Sequence, residues 1–217
     1  MLKPMQRAAE SHEPRLLRLA RRIQALAQTG LTYAEGPYDR ERYAELQDLA
    51  AELMAMQCDT PLTVIHGLFS SQTGYATPKV DVRAGVFREG QVLLVQEDED
   101  ACWTLPGGWA DVNESPSQAA CREVREEAGL EVQAVKLAML LDRSMHPHQP
   151  PFPFHVYKLF FVCRAVAGEP RPGPGLRAAA FFALDRLPPL SLTRVLPGQI
   201  HRLYEHVCQP ALPTDYD

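Results

Sequence analysis

Residues 107–130 read GGWADVNESPSQAACREVREEAGL, and this stretch contains the start and stop signals of one helix. Ser115 can cap the helix with its hydroxyl, Pro116 occupies a first-turn position where no N–H donor is needed, and Gln118 completes a capping box. Gly129 stands where a helix C-terminal cap is expected. The stretch therefore predicts a helix between these two signals, followed by a strand.

The predicted helix has one apolar stripe and one acidic arc. At 100° per residue, Ala120, Val124 and Ala128 fall on the stripe. The adjoining arc contains three carboxylates: Glu123, Glu126 and Glu127. Like charges so close repel each other, and a divalent cation would reverse the sign of that energy, since hard oxygen ligands suit magnesium or manganese. On these three residues alone, a solvated glutamate-rich helix face remains the more common interpretation.

The composition limits the classes of function. The 217 residues carry a formal net charge of −5, which argues against broad binding to nucleic acid because that binding needs a surplus of basic residues. The five cysteines lack CxxC spacing, so neither a disulfide framework nor a zinc site is predicted. We find no signal-peptide pattern and no apolar run of about 20 residues. A cytoplasmic protein without membrane contact is expected.

The first 60 residues are predicted to form a helical hairpin. Apolar residues recur at helical spacing from about residue 14 to 28, and Gly30 would cap that helix. A second periodic stretch, at 43–53, begins after Pro37. The apolar faces are too large to cover each other fully, so residues 1–60 are expected to dock on a partner subunit, giving a homodimer, or on the following domain. The alternative is that the hairpin caps its own core.

Residues 61–217 are predicted to form an α/β domain. Five β-type runs lie at 80–87, 91–97, 132–141, 155–166 and 178–184. Strands mixed with one helix in the middle and one near the end predict a sheet with helices on its faces. Two Pro-rich segments, 146–154 and 168–175, are predicted to be surface loops that could carry specificity. The acidic run 97–100 is predicted to be a solvated turn without chemistry.

The spacing around the acidic helix resembles a known family signature. From Gly108 the chain reads Gly, five residues, Glu114, seven residues, and then REVREEAGL at 122–130. This resembles the Nudix box, and WTLPGGW at 103–109 and FFALDRLPPLS at 181–191 are also similar to Nudix segments. The resemblance covers most of the chain from about residue 77 onward. It implies a Nudix-type α/β/α sandwich with a mixed sheet, here preceded by the small helical hairpin.

The segment in front resembles the N-terminal extension of a Nudix subgroup that acts on CDP-choline and ADP-ribose. In that subgroup TPKVDVR, LPGGWADVNESPS and a loop ending in PFHVYKLFF recur, and here they stand at 77–83, 105–117 and 142–161. The resemblance implies hydrolysis of the pyrophosphate bond in a nucleoside diphosphate linked to another moiety. The products would be a nucleoside monophosphate and a phosphorylated second product.

The resemblance also implies the metal site. Mg²⁺ or Mn²⁺ would be held by the three helix carboxylates and the main-chain carbonyl of Gly107: Glu123, Glu126, Glu127 and Gly107. Arg122 and Glu114 would form an internal ion pair that orients the loop on the helix. Gly108 and Gly129 complete the fixed positions of the motif.

The general base is expected within the box. Water would attack one phosphorus with Glu127 or Glu123 assisting. Glu169 is the outside candidate, because it is the only acid between residues 166 and 184. Related chains often carry a glutamate just before the FF pair, where this chain has alanines at 178–180, and this departure weakens the assignment of a base outside the box.

Four further residues are candidates for substrate contacts. Arg83 and Arg143 could grip phosphate oxygens, which guanidinium groups match in geometry. His148 lies in the first Pro-rich loop, and Tyr75 could stack on a base or ribose. Each also has a plainer interpretation, as an ordinary loop, strand-end or core residue.

Two other functions remain open at this point. A nucleotide-sensing module would keep the fold without turnover, although such modules usually lose carboxylates of the box and this chain has them all. Clean-up of oxidised nucleoside triphosphates would release inorganic pyrophosphate, which cleavage of a linked nucleoside diphosphate would not. In every case the expected ligand is a small nucleotide.

Overall fold

A computed structural model describes residues 12–58 and 60–217, which divide into two compact units. The first unit contains the described residues up to Pro78, the segment Ser144–His155 and Asp217; the second contains Lys79–Arg143 and Val156–Tyr216. We call them the helical unit and the sheet unit. Residues 61–78 were predicted to belong to the α/β domain, but they group with the helices.

The helical unit contains three helices: α1 (Arg15–Tyr33), α2 (Pro37–Ala55) and α3 (Leu62–Ser70). The two expected helices are confirmed, whereas α3 was not predicted. The prediction that Gly30 caps the first helix is wrong, because Gly30 lies inside α1. A Cβ atom on it would lie 2.3 Å from a ring carbon of Tyr43, so the missing side chain lets the two helices approach each other.

The core of the helical unit takes residues from all three helices: Leu17, Ala20, Ala50, Ala51, Met54, Ile65 and Phe69. Phe154, from the first Pro-rich segment, packs against this core, with its ring centroid 6.4 Å from that of Phe69. That segment is therefore part of the folded helical unit. It was predicted to be a surface loop, and its phenylalanine explains the difference, since an aromatic side chain gains free energy when buried.

Helix α1 buries only part of its periodic apolar residues. Leu17 is fully buried, whereas Leu16, Leu19 and Leu26 are 50%, 42% and 59% exposed. Leu46 and Leu49 of α2 are also partly exposed. The helical unit thus presents leucine side chains that its own core does not cover.

The sheet unit is built on a mixed sheet, and all five predicted strand runs are confirmed. In the described part of the chain its strands are β1 (Lys79–Arg88), β2 (Gln91–Glu97), β3 (Trp103–Thr104), β4 (Glu131–Asp142), β5 (Val156–Ala167), β6 (Leu176–Ala183) and β7 (Asp215–Tyr216). Their order is β3-β2-β1-β5-β4-β7, with β6 paired to β2. β1 runs parallel to β5 and β4 parallel to β7, while the other pairs are antiparallel.

Two helices cover the faces of this sheet: α4 (Pro116–Ala128) and α5 (Pro197–Cys208). Successive residues of a strand point to opposite faces, and the strand β5 shows this directly. Phe161 belongs to the cluster that contains Val124 of α4, whereas Phe160 belongs to the cluster that contains Leu203 of α5. The expected α/β/α sandwich is confirmed.

Across residues 12–58 and 60–217, we find no helix long and apolar enough to span a bilayer.

Candidate active site

The acidic helix α4 has the ends that the sequence predicts. The Ser115 hydroxyl accepts a hydrogen bond from the Gln118 N–H, and the Gln118 side chain accepts one from the Ser115 N–H at 2.8 Å. Gly129 adopts the left-handed conformation with φ 68°. The predicted apolar stripe is buried against the sheet: Ala120, Val124 and Ala128, together with Ala119. The position of this stripe fixes the direction of the adjoining carboxylates.

The loop 105–110 lies along β1 and needs glycine at position 107. Val82 N–H donates to Gly108 O at 2.8 Å, and Ala84 N–H donates to Pro106 O at 2.9 Å. Gly107 has φ 146°, and a Cβ atom there would lie 2.0 Å from Val82 O. Without that atom the loop stays on the strand, and the Gly107 N–H donates to Glu127 Oε2 at 2.9 Å.

Glu127 is the most perturbed carboxylate of α4. Burial raises its pKa to about 7, and the negative charge of Glu123 acts in the same direction. The hydrogen bond from Gly107 and the positive charge of Arg83 partly oppose this rise. A carboxyl group that titrates near neutral pH can accept and return a proton under ordinary conditions.

Arg122 joins the rest of the acidic helix to the loop. The expected ion pair with Glu114 is present at 2.7 Å. The same guanidinium also donates to Glu123 Oε1 at 2.9 Å and to Glu126 Oε2 at 3.1 Å. It approaches the carbonyl of Trp109 at 3.5 Å as well. Arg122 therefore offsets part of the repulsion between these carboxylates. From the sequence alone, that role was assigned to a bound cation.

The second Pro-rich loop closes the C-terminal end of α4. Arg171 N–H donates to Ala128 O at 2.9 Å and Gly173 N–H donates to Glu127 O at 3.0 Å. A Cβ atom on Gly173 would lie 1.9 Å from Glu126 O. The loop that was predicted to carry specificity thus satisfies helix carbonyls that would otherwise lack partners and fixes the turn that contains Glu126 and Glu127.

Sequence-family models match both units of the molecule. The model of the NUDIX domain matches residues 77–203. This chain belongs to the Nudix family. A second model, described as a UDP-X-like, N-terminal oligomerisation domain, matches residues 14–69. The capped helix, the glycine loop and the arginine network described above are thus the Nudix box of this chain.

Several known proteins are similar to this chain, either over most of its length or over part of it. A Bacillus subtilis protein named "Putative ADP-ribose pyrophosphatase YjhB" is 43% identical over 93% of this chain and 96% of its own length. The solved structure of a UDP-X diphosphatase is 30% identical, with a TM-score of 0.60, and covers 93% of this chain and 98% of its own. An ADP-ribose pyrophosphatase structure from Streptococcus suis is 38% identical, with a TM-score of 0.57, over 65% of this chain and all of its own.

These matches identify the chain as a Nudix pyrophosphohydrolase. Nudix hydrolases generally use divalent metal ions, and the donors of the box fit such an ion in chemical type, because they are hard carboxylate oxygens. Within the residues described, however, no three Asp, Glu, His or Cys side chains converge as a metal-binding group. Glu123 and Glu126 are instead bonded to Arg122, and Glu127 to Gly107. An ion held by Glu123 and Glu126 would have to displace Arg122, whereas Glu127 could keep its hydrogen bond from Gly107 and bind through its other oxygen.

Glu169, the candidate base outside the Nudix box, is engaged elsewhere. Its carboxylate lies 3.1 Å from the guanidinium of Arg88, and its side chain is mostly exposed. The structure brings together Glu123, Glu127 and the Gly107 loop, but it pairs Glu169 with the end of β1.

The two arginines proposed as phosphate ligands are both buried. Arg83 is bonded to Asp81, Thr104 and Leu105, so its guanidinium is committed to protein groups beneath the loop. Arg143 donates to the hydroxyl of Thr193 at 3.3 Å.

The other two substrate candidates belong to the helical unit. His148 is buried, whereas Tyr75 is exposed.

Sequence reasoning missed three charged residues near the box. Asp81 and Lys158 are buried partners on β1 and β5, and Glu97 exerts its charge on both Arg83 and Glu127. Asp81 and Lys158 are charged residues placed among apolar neighbours inside predicted strand runs, and that placement is the signal that could have found them. Glu97 was assigned to a solvated turn, but Arg194 pairs with it at 3.2 Å.

Residues 98–100 form the exposed turn that was predicted, and Arg194 contacts two of them. Its guanidinium lies 2.9 Å from Glu99 and 3.2 Å from Asp100. Asp100 in turn accepts a hydrogen bond from the Ser191 hydroxyl at 2.7 Å. The run is therefore tied to the segment before α5 by an ion-pair network.

Proposed function

We propose that this enzyme hydrolyses the pyrophosphate bond of a nucleoside diphosphate linked to a second group, with ADP-ribose as its foremost substrate. The observation that carries the proposal is the complete Nudix box. In it, Glu127 accepts a hydrogen bond from the Gly107 N–H, and burial raises the pKa of Glu127 to about 7. Relatives named as ADP-ribose pyrophosphatases, one matching nearly the whole chain, favour ADP-ribose over CDP-choline. The products would be AMP and ribose 5-phosphate.

Mg²⁺ or Mn²⁺ would be held by Glu123, Glu126, Glu127 and the carbonyl of Gly107. A bound divalent ion supplies charge neutralisation at the phosphates and a lower pKa for water. Arg122 would release Glu123 and Glu126 as the ion takes its place. Because this arginine keeps Glu114 as a partner, it would remain near the loop and close to the substrate phosphates.

Glu127 would serve as the general base. The Gly107 N–H holds its carboxylate beside the active-site loop, where it can take a proton from the attacking water and later release it to solvent. Glu123 is the second candidate, since burial raises its pKa as well. Glu169 is the weakest, because its exposed carboxylate pairs with Arg88.

The test is incubation of the purified protein with ADP-ribose, CDP-choline, a UDP-sugar and an oxidised nucleoside triphosphate. Each is assayed with Mg²⁺ and with Mn²⁺, and products are separated by ion-exchange chromatography. We expect AMP from ADP-ribose at the highest rate. Inorganic pyrophosphate from the triphosphate alone would favour the clean-up function, and the absence of any nucleoside monophosphate would contradict the proposal and favour a sensing module.

We also infer that the helical unit makes a homo-oligomer, a dimer being the simplest case. The match to an oligomerisation domain and the exposed leucines of α1 and α2 support this inference, because such leucines gain free energy when a partner covers them. Leu26→Glu should lower the mass measured by sedimentation equilibrium to that of one chain. Val135→Glu, at an exposed position of β4, is the matched control and should leave the mass unchanged.

A further inference from the structure

The sheet unit buries three charged side chains beneath the active-site loop. Asp81 and Arg83 on β1 and Lys158 on β5 are only 4%, 5% and 2% exposed. The parallel pairing of the two strands sets Asp81 directly beside Lys158. Removing an ion from water costs several kcal/mol even after relaxation, and apolar residues of similar volume often serve stability as well or better. Stability alone is therefore a poor explanation for this group.

Asp81 holds the guanidinium of Arg83 in one orientation. Its Oδ1 accepts from Arg83 Nη2 at 2.7 Å, and its Oδ2 accepts from Arg83 Nε at 3.1 Å. Oδ2 also accepts a short hydrogen bond from Lys158 Nζ. With both oxygens bonded from two strands, the carboxylate has little freedom to rotate.

The remaining nitrogen of Arg83 reaches the active-site loop. Its Nη1 donates to Leu105 O at 3.2 Å and approaches the Thr104 hydroxyl at 3.4 Å. Two residues further along the chain, Gly107 donates its N–H to Glu127. A continuous series of contacts thus runs from Lys158 to the carboxylate of Glu127.

Charge provides a second connection between the buried group and the active site. Arg83 and Lys158 are two cations and Asp81 is one anion, so the group carries an excess of one positive charge when Lys158 is protonated. The charge of Arg83 also acts on Glu127 directly. An ion pair of Asp81 and Arg83 would already be neutral, so Lys158 adds a positive charge to a region in which Glu97 and Glu127 also act on Arg83.

We propose that Lys158 is a positioning residue that, through Asp81, holds Arg83 against the loop at Thr104 and Leu105 and so fixes Gly107 and Glu127 for metal binding and catalysis. The kinetic test of this inference rests on the proposed function. A second test, Mn²⁺ binding, does not depend on that function. Lys158 itself would contact neither the substrate nor the metal.

The test compares Lys158→Met with the wild type in two measurements. The first is kcat and KM for ADP-ribose at saturating Mg²⁺. The second is the Kd of Mn²⁺ alone, measured by titration calorimetry. A small displacement of catalytic groups can lower a rate by about 100-fold, and loss of an outer-shell partner lowers metal affinity by about 10- to 100-fold. We expect kcat and Mn²⁺ affinity each to fall by at least about 10-fold, while KM changes much less.

Two further variants separate positioning from folding. Lys158→Arg keeps the charge and should recover part of both losses. Lys158→Leu, which also removes the charge, has a shorter apolar side chain and keeps the neutral Asp81–Arg83 pair, serves if Lys158→Met alone does not fold by circular dichroism. It should fold yet show the same losses. Lys136→Met is the matched control, because Lys136 on β4 donates to the carbonyls of Pro210 and Leu212, away from the loop.

The outcomes distinguish this inference from the proposed function. Wild-type kcat and Mn²⁺ affinity in a folded Lys158→Met or Lys158→Leu variant would overturn the positioning role, even with a lowered Tm. If wild-type protein cleaved none of the nucleotides, the proposed function would fail. The Mn²⁺ titration would then still decide whether Lys158 supports the metal site.

Discussion

Two groups of charged residues contact the same active-site loop, and they differ in how freely they can rearrange. The outer group consists of Arg122 with Glu114, Glu123 and Glu126, and the last of these is 53% exposed in its side chain. The inner group, Asp81, Arg83 and Lys158, is almost completely buried. The outer group can exchange its partners with water, ions and phosphates, whereas the inner group has only protein partners within reach.

This difference assigns the two groups different tasks in catalysis. Arg122 and Glu126 keep 22% and 53% of their side chains exposed, so a divalent ion from solvent can reach these carboxylates and displace Arg122. Removing one partner from a buried pair costs about 3–5 kcal/mol, so the inner group stays in place while the outer one rearranges. A movable layer over a fixed layer lets the loop bind an ion without losing its position.

The largest expected effect is at Glu127, which both groups influence. Glu127→Gln removes the proposed base, and such losses typically lower kcat by about 10²- to 10⁴-fold. Steady-state hydrolysis of ADP-ribose at saturating Mg²⁺ measures it. The control is Glu131→Gln, which changes an exposed glutamate at the start of β4 and should leave kcat unchanged. Near-normal turnover of Glu127→Gln would exclude Glu127 as the base and leave Glu123 as the candidate within the Nudix box.

The next effect concerns the loop between the two groups. Gly107→Ala would place a Cβ atom 2.0 Å from Val82 O at a φ that other residues rarely adopt. The strain should cost about 1–3 kcal/mol of unfolding free energy and should lower kcat by about 100-fold as the loop moves. Urea unfolding and the ADP-ribose assay measure the two losses. Gly198→Ala, where a Cβ atom meets nothing within 4 Å, should show neither.

The two groups also differ in how far they could be predicted from the sequence. The outer group lies within residues 107–130, where the caps, the helical period and the motif spacing are all local signals, and the ion pair of Arg122 with Glu114 was predicted. The inner group joins Asp81 to Lys158 across 77 residues. These two become neighbours only because β1 and β5 pair in parallel, and a single sequence does not show which strands pair.

The helical unit shows the same limit of local signals. Glycine is a common helix-cap residue, but the close approach of Tyr43 explains the glycine at position 30 better. That contact joins two helices. The buried face of α1 is centred on Leu17 rather than on Leu16 and Leu19, because the positions of α2 and α3 decide which side is covered. Helices were predictable here, whereas their contacts were not.

A smaller loss of kcat is expected for a change in the outer group than for one in the inner group. Glu114→Gln removes one partner of Arg122, which keeps Glu123 and Glu126 as partners. Because these residues are near solvent, we expect a smaller loss of kcat than in Lys158→Met, with little change in Tm. Parallel assays of the two variants decide the ranking. A larger loss in Glu114→Gln would mean that the outer group, and not the buried one, fixes the loop.

The smallest effect is a pH dependence of stability that belongs to the inner group alone. Burial lowers the pKa of Lys158 from 10.5 to about 8, so between these values the unfolded chain binds more protons at this residue than the folded chain does. Unfolding free energy rises with pH wherever that holds. The stability of the wild type relative to Lys158→Met should therefore be constant below about pH 8 and should increase from there towards pH 10.5. Urea unfolding of both proteins at pH 7, 9 and 10 measures the difference, and a difference that shrinks with pH would show that the lysine is not desolvated as its burial between β1 and β5 requires.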